Sequence, residues 1–177
     1  MSRLRRIADR DRIFFVTTNL RPGTTPLNPA ERSVILRQLV QQRADRDFLV
    51  FGYVVMPTHV HLLLTPDRTG LVDTMHRLKR FSGQKIKTQR RIDAPIWQPR
   101  FFDFVLRRVG DFWEKLDCMH ENPVEARLVA RSVDWRWSSA QQYCSSRPLE
   151  KEESLILCAD KIDLPLDRGA LLNPVWR

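Results

Sequence analysis

The chain has 177 residues, 42% hydrophobic and 29% charged, which suits one domain with a real core and excludes a chain disordered throughout. Its 30 Lys and Arg against 21 Asp and Glu leave a net charge of +9, which favours a polyanionic partner, nucleic acid or an acidic membrane surface. No transmembrane segment or secretory signal is read, because the longest apolar stretch (48–57) is too short and the basic start at residues 2–6 meets Asp9 and Arg10 too soon; the odd, widely spaced Cys118, Cys144 and Cys158 point to a reducing cytoplasm.

Residues 13–18 are rich in aromatic and β-branched side chains and predict a strand. A turn follows at 21–26. Asn28 before Pro29 is an N-cap signal, predicting a helix to about residue 43 with Val34, Ile35, Leu39 and Val40 facing the core. Strands are predicted at 48–55 and 59–65, separated by Met56-Pro57-Thr58. A second helix over 71–90 places Leu71, Met75 and Leu78 at helical spacing, with a basic surface and a weak point at Gly83. Residues 100–107 read as extended. A third helix starts near residue 110 and is predicted to stop at Asn122, since Pro123 disfavours helical geometry before it. The order strand, helix, two strands, helix, strand, helix implies an α+β domain with a mainly antiparallel sheet, helices on one face and the other face free. We divide the chain into a domain, 1–147, and a loosely packed C-terminal extension, 148–177.

The sharpest motif is His59-Val60-His61 on a predicted strand. Residues two apart share a face, so both imidazoles can reach one divalent cation while Val60, Leu62 and Leu64 turn to the core. With four histidines in the chain, a bare His-x-His arises by chance often enough to be weak evidence, and two half-exposed histidines are the bland alternative. The apolar context from Gly52 to Leu64 strengthens it.

That block resembles the histidine-hydrophobic-histidine signature of single-tyrosine DNA transposases, specifically the REP-associated branch. Further blocks follow in the family's order: Trp97-Gln98-Pro99 with Asp103 and Arg107, Asn122-Pro123-Val124 within residues 120–129, and Trp137-Ser138-Ser139-Ala140. The resemblance covers residues 10 to 143. It implies a ferredoxin-like or RRM-like fold, dimerisation as in known cases, and nicking and rejoining of single-stranded or hairpin DNA at palindromic repeats. It also implies Mg²⁺ or Mn²⁺ at His59 and His61 with Asn122 nearby, and a tyrosine nucleophile on the helix before Asn-Pro-Val.

The sequence departs from the family at the nucleophile. Its position holds Cys118, and the chain's two tyrosines are Tyr53 and Tyr143. Cys118 reads three ways: an inert residue in a protein that binds DNA without nicking, a substitute nucleophile, or a zinc ligand with His59 and His61 in a small metal-dependent hydrolase. Sulfur is a soft partner for Mg²⁺ and phosphate oxygen, and a free thiol is mostly protonated near neutrality, so the first reading is preferred. Tyr143 falls outside the helix that resembles the nucleophile's carrier. At helical spacing, Phe112, Leu116 and Met119 form an apolar stripe, and Asp111, Lys115, Cys118 and Asn122 a polar one. Candidate phosphate contacts are Arg77, Lys79, Arg80, Lys85, Lys87, Arg90 and Arg91, with Lys115 added. Trp97 reads as core, while Trp135 and Trp137 are either core or base-stacking residues.

Overall fold

The computed structural model describes residues 12–144, 159–160, 164 and 167–172. The expectations for residues 2–6, for Cys158 and for most of 148–177 lie outside the described residues. Among the described residues no helix is long and apolar enough to cross a membrane.

Strands β1 (Phe14–Asn19), β2 (Phe48–Val55), β3 (His59–Pro66) and β4 (Phe102–Val105) form one sheet in the order β2-β3-β1-β4. Every neighbouring pair is antiparallel. Helices α1 (Pro29–Ala44), α2 (Leu71–Arg90) and α3 (Val109–Glu125) pack on it, followed by a 3-10 turn at Ser132–Asp134 and a short α4 (Ala140–Cys144). This is the α+β antiparallel architecture expected from the element order.

Helix α1 begins as its sequence predicts. The Asn28 side chain accepts from the Glu31 N–H at 3.0 Å and the Glu31 carboxylate accepts from the Asn28 N–H at 2.9 Å. Such a cap contributes about 1 kcal/mol. Glu31 also pairs with Arg90 at 2.6 Å, tying the start of α1 to the end of α2. That guanidinium holds the Glu31 carboxyl below the usual carboxylate range. Val34, Ile35 and Leu39 are buried as expected, but Val40 is 36% exposed and Leu36 is buried. The buried arc runs through Arg32, Ile35, Leu36, Leu39 and Gln42, at steps of three and four, and Val40 falls outside it.

Each face of the sheet carries its own core. Phe14, Val16, Val60, Leu62 and Leu64 meet α1 and α2 through Ile35, Leu39, Met75, Leu78 and Ile86. Phe15, Phe51, Val54 and Leu63 meet α3 through Phe112, Leu116 and Met119. The second face is therefore not free, contrary to the expectation of helices on one face only; α3 covers its β2–β3 half. Strand β2 changes parity at a bulge between Val50 and Gly52, which puts Phe48, Val50, Tyr53 and Val55 in one core and Phe51 and Val54 in the other. A Cβ on Gly52 would lie 2.4 Å from Met119 Cε and 2.6 Å from Leu116 Cδ1. Glycine there lets α3 lie close to the strand.

Two readings of helix interiors change. Helix α3 runs through Pro123 to Glu125 instead of stopping at Asn122. Proline removes only the N–H that would reach the Met119 carbonyl, and the helical bonding continues past it, with Ala126 N–H donating to Asn122 O at 3.0 Å. Gly83 lies inside an unbroken α2 and faces Trp97, whose Cδ1 would be 3.3 Å from an added Cβ. The described parts of the extension dock on the domain. The Asp160 carboxylate accepts from Arg43 Nε at 3.0 Å and Val50 N–H at 2.8 Å. The carbonyls of Arg168 and Ala170 accept from Gly110 and Val109, in the first turn of α3.

His120 links α3 to β2. Its Nε2 is 2.8 Å from Ser139 Oγ, which accepts from the Tyr53 N–H at 2.9 Å. Burial lowers the His120 pKa from 6.5 to about 4. Between those values the unfolded chain takes up a proton that the folded chain refuses, so stability falls as pH drops through that window. Urea unfolding at about pH 7 and about pH 4.5 should show this loss, and His120→Gln should reduce it. A variant with an unchanged pH slope would count against the neutral, buried imidazole.

Candidate metal and nucleic-acid site

The histidine pair sits where β3 emerges from under α3. The antiparallel register places His59 opposite Asn19 and His61 opposite Thr17. The two imidazole rings lie 4.6 Å apart, edge to face at 68°. His59 Nε2 is 3.1 Å from Asn122 Oδ1, so the end of α3 meets the strand at the predicted place. His61 Nδ1 is 2.8 Å from Thr17 Oγ1 and its ring stacks on Phe15 at 5.2 Å. An Nδ1–H donated to Thr17 leaves the His61 Nε2 lone pair free. Thr17 was missed by sequence reasoning; only the β1–β3 register could have revealed it.

The donor set fits a hard divalent cation completed by an anion. Ligand atoms about 2.1 Å from one Mg²⁺ or Mn²⁺, at right angles, would be about 3.0 Å apart, close to the His59–Asn122 separation. Burial lowers the His59 pKa, and burial with the neighbouring His59 lowers that of His61 to about 4. Both rings are therefore neutral and can ligate near pH 7. Two imidazoles and an amide oxygen supply no negative charge. A phosphate oxygen would supply it.

Cys118 is exposed, one turn before Asn122 on α3. Among the described residues no three His, Cys, Asp or Glu side chains gather into a metal site, so the zinc set of His59, His61 and Cys118 is not assembled. One helical turn, about 5.4 Å, separates Cys118 from the position that meets His59. Both tyrosines are committed elsewhere. Tyr53 is fully buried. The Tyr143 hydroxyl donates to the Phe51 carbonyl, and its ring packs on His120 and Trp113. On a helix, His120 points roughly 160° away from Asn122, so Tyr143 lies on the opposite flank of α3. Burial and the Asp160 carboxylate push its pKa up to about 12.

Of the predicted phosphate contacts, Arg77 pairs with Asp47 at 2.6 Å and Arg90 with Glu31. Lys87 pairs with Asp93 at 3.0 Å, and Lys79 donates to the Pro99 carbonyl at 2.9 Å. Arg80, Lys85 and Arg91 are the exposed basic residues of that set. All seven belong to α2 or its C-terminal cap, on the sheet face opposite the histidines. Lys115 alone of the predicted set lies on the histidine side, where it pairs with Glu114 at 2.8 Å and sits 5.8 Å from the centroid of the Phe104 ring. Trp97 is core, as expected. Trp135 is buried and donates to the Val55 carbonyl, while Trp137 donates to Ser33. The Arg32 guanidinium covers both rings, 4.9 Å and 4.0 Å from their centroids, so neither is free to stack on a base.

No family model matches the chain. Among curated proteins it is 29% identical over 139 residues to the REP-associated tyrosine transposase of Escherichia coli (strain K12), covering 78% of this chain and 82% of the relative. The chain is thus similar in sequence to a REP-associated tyrosine transposase over most of its length. It is also 27% identical over 103 residues to a putative REP-associated tyrosine transposase of Haemophilus influenzae (strain ATCC 51907 / DSM 11121 / KW20 / Rd), covering 52% of this chain and 58% of that one. A solved structure of a REP-associated tyrosine transposase bound to a REP hairpin shares the fold, with a TM-score of 0.67 and 22% identity over 91% of this chain and 92% of that one. The resemblance read from the motifs and the fold expected from it both stand.

Replacing Asn122 by Ala should weaken Mn²⁺ binding at least about tenfold in calorimetry, without lowering the melting temperature in chelator. Because both imidazoles are held neutral, wild-type affinity should stay flat from about pH 7.5 to about pH 6.5, where an ordinary histidine starts to protonate. Unchanged affinity in the variant would remove Asn122 from the site.

Proposed function

We propose that this chain is a DNA-binding protein of the transposase class that takes single-stranded or hairpin repeat DNA on its histidine face. The observation that carries the reading is the meeting of His59 and Asn122 at 3.1 Å beside His61, from elements far apart in sequence. His59, His61 and Asn122 would hold Mg²⁺ or Mn²⁺ against a phosphate of the bound strand. The cation would polarise that phosphate and offset charge building on its oxygens. The chain's own residues keep the imidazoles neutral and fixed: Thr17 and Phe15 orient His61, while Thr58 and Asn122 hold His59. A cytoplasmic site of action and a homodimer complete the proposal.

For the covalent step, a second reading is favoured: the strand is bound and not cut. The residue one turn before Asn122 is Cys118, and neither tyrosine is placed to attack a phosphate at the histidines. The relatives carry tyrosine transposase in their names; a tyrosine attack is not proposed for this chain.

A labelled hairpin oligonucleotide incubated with Mn²⁺ tests both readings. The native chain should bind it, with affinity falling steeply as salt rises, and give no protein–DNA adduct. Cys118→Tyr should produce a nicked strand and a covalent adduct. An adduct formed by the native chain and lost in Cys118→Ser would make the thiol the nucleophile. Loss in Tyr143→Phe would instead assign it to that tyrosine. Absence of hairpin binding would overturn the proposed function.

A further inference from the structure

Two phenylalanines lie bare beside the histidines. On β4, Phe102 is 59% exposed and Phe104 43%. Neighbouring Phe101 and Val105 pack into the α1–α2 core, so the alternation of the strand directs Phe102 and Phe104 to the other face. The register fixes what stands next to them. Phe102 is opposite Thr17 and Phe104 opposite Phe15. Those two β1 residues are the ones that bond to and stack on His61. Helix α3 covers the β2–β3 half of this face and stops short of β4. The exposed rings therefore continue the histidine site across the open half of the sheet, two strand spacings or about 10 Å from β3.

Three occupants fit an exposed aromatic pair: a second copy of the chain, an apolar protein partner, or flat unpaired bases. Charge decides between them. Arg100 lies just before β4 and Arg107 and Arg108 just after it, all three exposed. The Lys115 ammonium is 5.8 Å from the Phe104 ring centroid. Two copies joined here would oppose these cations in a chain of net charge +9. An aromatic face bordered by guanidinium and ammonium groups matches a strand whose bases stack while its phosphates reach the rim. Phe102 and Phe104 stand two residues apart, about 6.7 Å along the strand, which suits successive bases spread on separate rings.

We propose that Phe102 and Phe104 form a stacking platform for unpaired bases of the strand whose phosphate lies at His59, His61 and Asn122. This rests on the DNA-binding reading above and adds the contact that would hold the single strand in place. Stacking tolerates any base, so the platform adds affinity and position without strong sequence choice.

The test uses the full chain and hairpin oligonucleotides with a single-stranded extension carrying 2-aminopurine at one position at a time. The wild type should alter 2-aminopurine fluorescence by stacking at one or two adjacent positions only. Replacing both rings (Phe102→Leu with Phe104→Leu) keeps an apolar surface and should weaken binding roughly five- to a hundredfold while abolishing that signal. Phe102→Tyr with Phe104→Tyr should restore both. If the wild type binds no hairpin, the functional reading has failed and takes this inference with it. If it binds, but the leucine variant binds as tightly with the same fluorescence change, only the platform is wrong. A leucine variant that loses self-association in sedimentation while keeping DNA affinity would show an interface between copies, and would likewise overturn it.

Discussion

A single contact, His59 Nε2 to Asn122 Oδ1 at 3.1 Å, joins the end of α3 to a strand sixty-three residues earlier in the chain. It exists because α3 lies low on the sheet. Gly52 leaves the room, with Leu116 and Met119 occupying the space a side chain there would take. Phe112 completes the packing against Phe51 at 6.2 Å between ring centroids. At the other end of the helix, carbonyls of residues 168 and 170 accept from its first-turn amides. On its flank, His120 reaches Ser139, which itself bonds to Tyr53. The helix is thus held by apolar packing beneath and by hydrogen bonds at its start and side, and the site follows from its placement.

The two faces of the sheet divide the labour. The α1–α2 face is closed, and its polar groups are internal ties such as Glu31–Arg90 and Trp97–Ser82. The α3 face is half covered. What remains open runs from the imidazoles over half-buried Thr17 to the bare rings of β4, with Phe15 buried in the core beside it. Imidazole and amide donors at one end and aromatic surface at the other suit the two parts of a nucleotide, its phosphate and its base.

Much of this was legible in the sequence because it rests on local signals. Asn28-Pro29 marked the start of α1, and residue alternation put His59 and His61 on one face. The apolar and polar stripes of α3 were visible at spacings of three and four, and the polar one carries Asn122 to the histidines. What escaped depends on pairing between distant segments. The partnership of Thr17 with His61, the ion pairs that occupy Arg77, Arg90 and Lys87, and the stacking of Arg32 on Trp135 and Trp137 all need the tertiary arrangement. A run of basic residues on a helix does not reveal which have carboxylates waiting across a groove. The parity change at the β2 bulge hid the second core in the same way, since simple alternation assigns those residues to the wrong faces. Pro123 misled because a proline in the last turn removes only one hydrogen bond.

The central claim is that two neutral imidazoles and one amide oxygen form a single cation site on the open face. Crystals soaked in Mn²⁺ and measured for anomalous scattering test it directly. The account predicts a peak in contact with His59, His61 and Asn122, at distances of roughly 2.0 to 2.4 Å. Manganese bound elsewhere, with these three side chains still joined only to one another and to Thr17 and Thr58, would contradict it.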